Sequence, residues 1–130
     1  MPGFEALVAA ARAARVHASA PYSGFAVGAA ILTRGGAIYT GVNVENASYG
    51  LTICAERVAL FKAISEGERD FAAVAVVTDT ATATAPCGAC RQLVWEYAGD
   101  VPVILANLTS VLGRHAMTEL LPAPFDRRSL

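Results

Sequence analysis

The fold is organised around two short segments, TICAER at residues 52–57 and PCGACRQ at residues 86–92, which hold all three cysteines of the chain. Cys87 and Cys90 are three positions apart, so a helix would place both sulfur atoms on the same face. Pro86 suits the first turn of such a helix, because its missing N–H group would have no partner there. We therefore expect Cys87 near the positive end of a helix dipole, where a thiolate is favoured.

Cys54 is expected at the start of a second helix. Thr52 is a plausible N-cap, and the apolar run at residues 58–64 has helical character. Two helix N-termini would bring three thiolates together, and thiolates bind zinc at about 2.3 Å each. Because the chain has no fourth cysteine, one tetrahedral position would stay open to water, as a catalytic zinc ion requires.

Glu56 follows Cys54 by two positions and need not itself bind the metal, so its carboxylate is free to take a proton from bound water. The pattern Cys-x-Glu followed by Pro-Cys-x-x-Cys resembles the signature of the zinc nucleoside deaminases, in its three-cysteine form. The resemblance implies one zinc ion per subunit, with Cys54, Cys87 and Cys90 as ligands and Glu56 as the catalytic acid and base.

Three other interpretations of the cysteines remain open. A structural zinc site would need a fourth protein ligand, and the two histidines, His17 and His115, lie in no ligand-spaced motif. A thioredoxin-like redox pair would leave Cys54 and Glu56 without a role. Inert buried thiols are the third interpretation. The order, the spacing and the proline together favour the deaminase.

Composition limits the class of protein. At 130 residues we expect a single domain over residues 1–130. The net charge of −1 and the scattered basic residues argue against a nucleic-acid partner. An odd number of cysteines with metal-like spacing favours a reducing compartment, so we predict a cytoplasmic location.

Hydropathy predicts neither a membrane partner nor a leader. The longest apolar run, residues 71–77, is too short to cross a bilayer, and a core helix explains the opening segment better than a transit peptide does. Apolar residues make up 55% of the chain and charged residues only 16%, which predicts that part of the surface faces other copies.

The order of the predicted elements indicates an α/β fold. Periodicity predicts an amphipathic helix at 3–18, and a hairpin turn at 34–36 should join two antiparallel strands. Gly28 and its alanine neighbours would allow another element to approach the first strand closely. Each later helix should cross over the sheet, which predicts a three-layer α/β/α sandwich with a mixed five-stranded sheet. The predicted strands are residues 25–32, 37–44, 71–78, 101–106 and an edge strand within 109–117, with one helical turn at 118–122.

The predicted substrate contacts follow the hairpin. Asn43 and Glu45 should point the same way, and an amide and a carboxylate so placed can hold vicinal hydroxyl groups, although a solvated strand end explains them equally well. The deaminase resemblance implies that both residues bind the sugar 3′-hydroxyl. It also implies that Phe25 lies beside the nucleoside and that the N–H group of Ala55 lies near the ring O2.

Two further roles rest on the same resemblance. In three-cysteine members of the family, the arginine that matches Arg57 donates hydrogen bonds to the thiolates and compensates their charge; without the family, Arg57 would be a surface arginine. The segment LLPAPF at 120–125 is similar to the end of tetrameric cytidine deaminases, whose phenylalanine stacks on the pyrimidine bound by a neighbouring subunit. Phe125 matches that residue, and Pro124 departs from the pattern.

The resemblance runs from Phe25 to Phe125. It implies a homotetramer with shared active sites, in which zinc-dependent hydrolysis converts cytidine and deoxycytidine to uridine and deoxyuridine, with release of ammonia, in pyrimidine salvage. A deaminase of another aminopyrimidine, such as blasticidin S, is one alternative. A non-catalytic zinc-binding oligomeric module is another, although such a module would not need Glu56.

Overall fold

A computed structural model describes residues 4–130 as five strands and four α-helices. The strands form one sheet in the order β2-β1-β3-β4-β5. Short 3-10 turns at Tyr49–Leu51 and Arg127–Ser129 complete the regular structure of this range. The main elements are α1 Phe4–Arg15, β1 Val27–Thr33, β2 Ile38–Val42, α2 Ala55–Ser65, β3 Phe71–Thr78, α3 Gly88–Ala98, β4 Pro102–Ala106, β5 Val111–Ala116 and α4 Met117–Leu120.

The sheet is mixed, as predicted. Strand β1 pairs antiparallel with β2 and β3, β3 pairs parallel with β4, and β4 pairs antiparallel with the edge strand β5. Strand β3 lies in the centre and is almost wholly buried, which agrees with its unbroken run of apolar residues. Parallel neighbours end at the same edge of a sheet, so the loops that follow β3 and β4 lie close together.

Helices cover both faces of the sheet, which confirms the three-layer sandwich. Side chains alternate along a strand, so β1, β3 and β4 each contribute residues to two cores, one on each face of the sheet. The first core lies between α1 and one face, and its members include Leu7, Val8, Ala11, Ala30, Ala75, Val77 and Ile104. The second lies under α2 and α3 on the other face, and its members include Ile31, Ala59, Leu60, Val74, Val76, Val94 and Leu105.

Two glycines allow α1 and α2 to pack closely on the sheet. A Cβ atom on Gly28 would lie 2.1 Å from the carbonyl oxygen of Ala11, so the close approach predicted at Gly28 is that of α1. A Cβ atom on Gly41 would lie 2.4 Å from the carbonyl oxygen of Ala55 and 2.4 Å from the nitrogen of Ala59. Gly41 therefore sets how closely the first turn of α2 packs on the sheet.

Some predicted boundaries differ from the observed ones. The first helix ends at Arg15 instead of residue 18, and the predicted residue 3 lies outside the described range. Strand β1 begins at Val27 because the N–H group of Phe25 bonds to the hydroxyl of Ser23 and not to a neighbouring strand. Strand β2 ends at Val42, and Val44 forms only isolated bridges. None of the helices within residues 4–130 has the length and apolar character that a membrane crossing needs.

Candidate active site

The N-termini of α2 and α3 carry the three cysteines. Cys54 is the N-cap of α2 and Cys87 is the N-cap of α3, both with extended backbone. The prediction that Thr52 caps α2 is wrong, because Thr52 closes the 3-10 turn before it and accepts a hydrogen bond from the Asn46 N–H. Pro86 likewise precedes the N-cap and does not enter the first turn. Cys54 and Cys87 therefore lie at the N-caps themselves, at the positive ends of the two helix dipoles.

The three sulfur atoms form one cluster, with all Sγ atoms within 4.8 Å of one another. Sγ of Cys87 lies 3.8 Å from Sγ of Cys54 and 3.4 Å from Sγ of Cys90. A tetrahedral zinc ion with bonds of about 2.3 Å separates two sulfur ligands by about 3.8 Å, so the cluster fits zinc with little adjustment. In the described part of the chain, neither His17 nor His115 belongs to the cluster.

The thiol groups of Cys54 and Cys90 differ in pKa. A hydrogen bond from Cys90 lowers the pKa of Cys54 to about 5, and Arg57 acts in the same direction. The same bond, together with burial, raises the pKa of Cys90 above its ordinary value. A metal ion removes the remaining thiol protons, because a coordinating thiol is bound as the thiolate.

Arg57 directs its charge toward the sulfur atoms. Its Nη2 donates to Sγ of Cys54 over 3.4 Å. This hydrogen bond raises the pKa of Arg57 above its ordinary value. The buried Nε of Arg57 makes no hydrogen bond to any residue between 4 and 130. The guanidinium group therefore has a donor to spare beside an electron-rich cluster, which agrees with a site that holds several thiolates.

Glu56 is the second residue of α2 and is only 6% exposed. Burial raises its pKa, because the charged form loses hydration, and the negative charge of Cys54 acts in the same direction. The side chain lines the cleft that Cys54 and Cys87 also line. A carboxyl group that binds a proton more readily than in water is suited to proton transfer.

A cleft of about 320 Å³ opens beside the sulfur cluster. Its size lies at the lower end of the range for small-molecule sites. Of the residues that the sequence predicted near a substrate, Phe25, Asn43, Glu45 and Ala55 line the cleft. Phe125 is not among the lining residues.

Glu45 is held by the turn before β1. Its Oε1 accepts from the N–H groups of Tyr22 at 2.9 Å and Ser23 at 3.0 Å, and its Oε2 accepts from the Ser23 hydroxyl. The bonds from Ser23 are the main reason why the pKa of Glu45 lies below its ordinary value. The carboxylate is therefore ionised at neutral pH. The sequence pattern gave no sign of a role for Ser23, so sequence reasoning missed this contact.

Asn43 is buried, and it forms part of the wall of the cleft. Its Oδ1 accepts from the Val27 N–H at 2.9 Å, and its Nδ2 donates to the Phe25 carbonyl at 2.7 Å. One hydrogen on Nδ2 and one lone pair on Oδ1 are not used by these two bonds. The backbone contacts to residues 25–27 could not be found from the spacing of Asn43 and Glu45 alone.

The C-terminal tail lies on α3, outside the cleft. Phe125 is 62% exposed, and its carbonyl accepts from Nε2 of Gln92 at 2.7 Å. Oδ2 of Asp126 accepts from Nε1 of Trp95 at 2.8 Å. Hydrogen bonds from Arg128, followed by the bond from Trp95, hold the pKa of Asp126 well below its ordinary value. The tail is thus attached to the helix that begins at Cys87.

This α/β/α sandwich, with a sulfur cluster and a buried glutamate at two helix N-termini, defines a zinc enzyme of the deaminase type. Residues 3–106 match the family model described as "Cytidine and deoxycytidylate deaminase zinc-binding region". The chain belongs to this family; it is an enzyme, and its cofactor is zinc.

Curated relatives and a solved structure agree with this assignment. The chain is 48% identical to the cytidine deaminase of Sporosarcina psychrophila, over 97% of this chain and 93% of that protein. It is 52% identical to the cytidine deaminase of Halalkalibacterium halodurans, over 95% of each chain. The crystal structure of cytidine deaminase from Burkholderia pseudomallei is 50% identical, covers 93% of this chain and 98% of that chain, and superposes with a TM-score of 0.90.

Proposed function

We propose that the protein catalyses the zinc-dependent hydrolytic deamination of cytidine and deoxycytidine to uridine and deoxyuridine, with release of ammonia, in pyrimidine salvage. The observation that carries the proposal is the position of the buried Glu56 in one cleft with a three-sulfur cluster. Two relatives named cytidine deaminase, at 48% and 52% identity over nearly the whole chain, support the choice of substrate.

Cys54, Cys87 and Cys90 would hold one zinc ion per subunit. Three thiolates leave one tetrahedral position for water, and a bound zinc ion lowers the pKa of that water toward neutrality. Three thiolates also give the ion a net negative environment, which opposes this effect. Arg57 and the N-termini of α2 and α3 compensate that charge, because all of them present positive charge or dipole to the sulfur atoms.

Glu56 carries the protons of the reaction. It accepts a proton from water and delivers it to N3 of the pyrimidine, while the water oxygen adds to C4. Glu56 then moves the second proton of that water to the amino group at C4. The C4–N4 bond breaks, ammonia leaves and the carbonyl of uridine forms, so the overall reaction consumes one water molecule. The raised pKa of Glu56 suits a group that must both accept and return a proton.

The substrate would lie along the cleft with its sugar toward Glu45. The ionised carboxylate of Glu45 accepts from the 3′-hydroxyl, and the remaining hydrogen on Nδ2 of Asn43 donates to the same oxygen. Phe25 lies beside the nucleoside. The N–H group of Ala55, the first residue of α2, is one of the helix donors without an intrahelical acceptor, and it would donate to ring O2. Cytidine and deoxycytidine share the 3′-hydroxyl, so both are substrates.

The alternatives have less support. A deaminase of blasticidin S or of a free base would not need the ribose contacts of Asn43 and Glu45. A non-catalytic zinc-binding module would have no use for Glu56, whose burial costs free energy in its charged form.

The functional unit would be a cytoplasmic homotetramer of one domain over residues 1–130, with no nucleic-acid or membrane partner. Large apolar side chains are exposed at several places in residues 4–130, and exposed apolar surface supports an interface between copies of the chain. A reducing compartment would keep the three thiols available for zinc. Phe125 would reach a neighbouring cleft from the tail. The exposed apolar residues include Tyr22, Phe25, Val44, Tyr49, Leu51 and Phe125.

The direct test is ammonia release by the zinc-loaded protein with cytidine, deoxycytidine or blasticidin S as substrate. We expect release from the first two, together with the change in absorbance that accompanies conversion to a uracil ring. No release from cytidine would refute the proposed function. Release from blasticidin S at a higher kcat/KM than from cytidine would favour the alternative substrate. A sizing column separates tetramer from monomer in the same preparation.

A further inference from the structure

The loop at residues 79–86 carries alternate threonines and joins β3 to the N-cap of α3. The hydroxyl of Thr80 is the centre of a hydrogen-bond network in this loop. It donates to the carbonyl of Thr82 at 2.8 Å and accepts from the Thr84 hydroxyl at 3.3 Å. The hydroxyl of Thr78, at the end of β3, lies 2.8 Å from the same oxygen. Thr78 and Thr84 both line the cleft that contains Glu56 and Cys87.

The number of protons decides the direction of these bonds. A hydroxyl group has one proton and two lone pairs. Because Thr80 donates its only proton to the Thr82 carbonyl, Thr78 must be the donor in its contact with Thr80. Thr80 then uses its proton and both lone pairs. Thr78 and Thr84 each use their only hydroxyl proton on Thr80, so toward a ligand their oxygen atoms can act only as acceptors.

Asn107 fixes the backbone at the same position. It follows the last residue of β4, the parallel neighbour of β3, so the two loops meet at one edge of the sheet. Nδ2 of Asn107 donates to the Thr80 carbonyl at 3.0 Å. Its Oδ1 accepts from the N–H groups of Thr109 at 3.0 Å and Ser110 at 2.8 Å. Thr80 is therefore held through both its side chain and its backbone.

We propose that Thr80 is a positioning residue for the deamination reaction, which it serves by fixing Thr78 and Thr84 in the wall of the cleft as hydrogen-bond acceptors; this inference rests on the proposed function. Two hydroxyl oxygens that can only accept favour a ligand that places an amino group beside them over one that places a carbonyl oxygen there. The substrate carries the amino group and the product carries the carbonyl. Thr80 therefore favours binding of the substrate over retention of the product.

Two substitutions at Thr80 separate the hydroxyl group from the shape of the side chain. Thr80→Val keeps the shape and removes the hydroxyl, which frees the protons of Thr78 and Thr84; Thr80→Ser keeps the hydroxyl. For Thr80→Val we expect KM for cytidine to rise about three- to tenfold, with kcat changed less than about threefold. The inhibition constant of uridine, divided by KM for cytidine, should fall. Thr80→Ser should stay within about twofold of the parent enzyme.

The matched control is Thr82→Val. Thr82 is exposed and takes part in this network through its backbone carbonyl, so its side-chain substitution should change neither KM nor the product ratio. Unchanged KM and product ratio in Thr80→Val would overturn the proposal. A loss in Thr80→Ser as large as that in Thr80→Val would also overturn it, because the hydroxyl group would then not be the cause.

A second variant covers the case in which Thr80→Val does not fold. Asn107→Asp keeps the acceptor for residues 109 and 110 but removes the donor to the Thr80 carbonyl, and we expect a smaller shift in the same direction. Amide hydrogen exchange at residues 82–85 gives a readout without activity: exchange should be faster in Thr80→Val and Asn107→Asp and unchanged in Thr82→Val. Parent protein that releases no ammonia from cytidine would refute the proposed function. The exchange rates would still decide whether Thr80 holds the loop, and equal rates would refute that.

Discussion

Nη2 of Arg57 donates a hydrogen bond to Sγ of Cys54 over 3.4 Å, so a cation contacts the sulfur cluster directly. Arg57 is in the first turn of the helix that Cys54 caps, three positions after that cysteine. Three thiolates would otherwise weaken the acidity of a bound metal ion. Arg57 therefore places a positive charge beside the sulfur atoms that would bind the metal ion.

Removing this cation should weaken the enzyme without abolishing it. For Arg57→Ala we expect a ten- to hundredfold loss, on the order of that for other groups that support metal ligands, in kcat or in zinc affinity. Kinetics and zinc content under competition with a chelator measure the two effects. Arg57→Lys keeps the charge without the planar fork, so it should lie between Ala and the parent. If Arg57→Ala kept the kinetics and the zinc affinity of the parent protein, the contact between Arg57 and Cys54 would not contribute to function.

Glu56→Gln should separate zinc binding from catalysis. The amide keeps the shape of the side chain but cannot carry a proton, so we expect kcat to fall by about a hundredfold to ten-thousandfold with zinc content unchanged. Because Glu56 is buried, the neutral amide should also raise Tm. Zinc analysis, kinetics and thermal unfolding are measured on one preparation. If zinc and activity were lost together, Glu56 would instead have a structural role.

Removing the metal should abolish activity reversibly. A chelator takes zinc from the three sulfur atoms, and activity should return when Zn²⁺ is added under reducing conditions. Zinc binds the folded chain, so the metal-free protein should have a lower Tm; a free metal concentration of a hundred times Kd corresponds to about 2.7 kcal/mol. Glu56→Gln should show the same zinc-dependent shift in Tm. Full activity without zinc would contradict the proposed mechanism.

Gly41→Ala should destabilise the protein by displacing α2. The new Cβ atom would lie 2.4 Å from backbone atoms of Ala55 and Ala59, which cannot move alone. We expect a loss of about 1–3 kcal/mol in the free energy of unfolding, and a loss of activity because Ala55 is next to Cys54 and Glu56. Gly35→Ala is the matched control, since its Cβ atom would approach no closer than 3.8 Å to Thr33. Equal stability of the two variants would contradict this packing argument.

The attachment of the tail should persist into acid. Because the pKa of Asp126 is lowered, the ionised carboxylate stabilises tail docking fully above the ordinary carboxyl range, and docking is lost only as the pH falls through the lowered pKa. Trp95 donates to Asp126 and is the only tryptophan of the chain, so its fluorescence reports the attachment. We expect a transition below about pH 4 that is absent in Asp126→Asn. A transition near neutral pH would show that another group holds the tail.

The sequence by itself determined the class of fold and the chemistry of the site. The uninterrupted apolar run of β3 predicted a central strand with its observed bounds, Phe71–Thr78, because such a run is stable only when both faces are covered. The spacing of Cys87 and Cys90 predicted adjacent sulfur atoms, because one helical turn separates them. These are local properties, and neighbours in the chain decide them.

Only the tertiary structure decided which distant groups meet. Cys54 joins Cys87 across 33 positions because α2 and α3 pack on the same face of the sheet. The Asn43 amide turns to the backbone of residues 25–27, and Ser23 turns to Glu45, because a turn outside any regular element folds over the end of β2. The backbone carbonyl of Thr80 accepts from Asn107, which follows another strand. No local pattern encodes such contacts, since they depend on how closely helices and loops can approach the sheet.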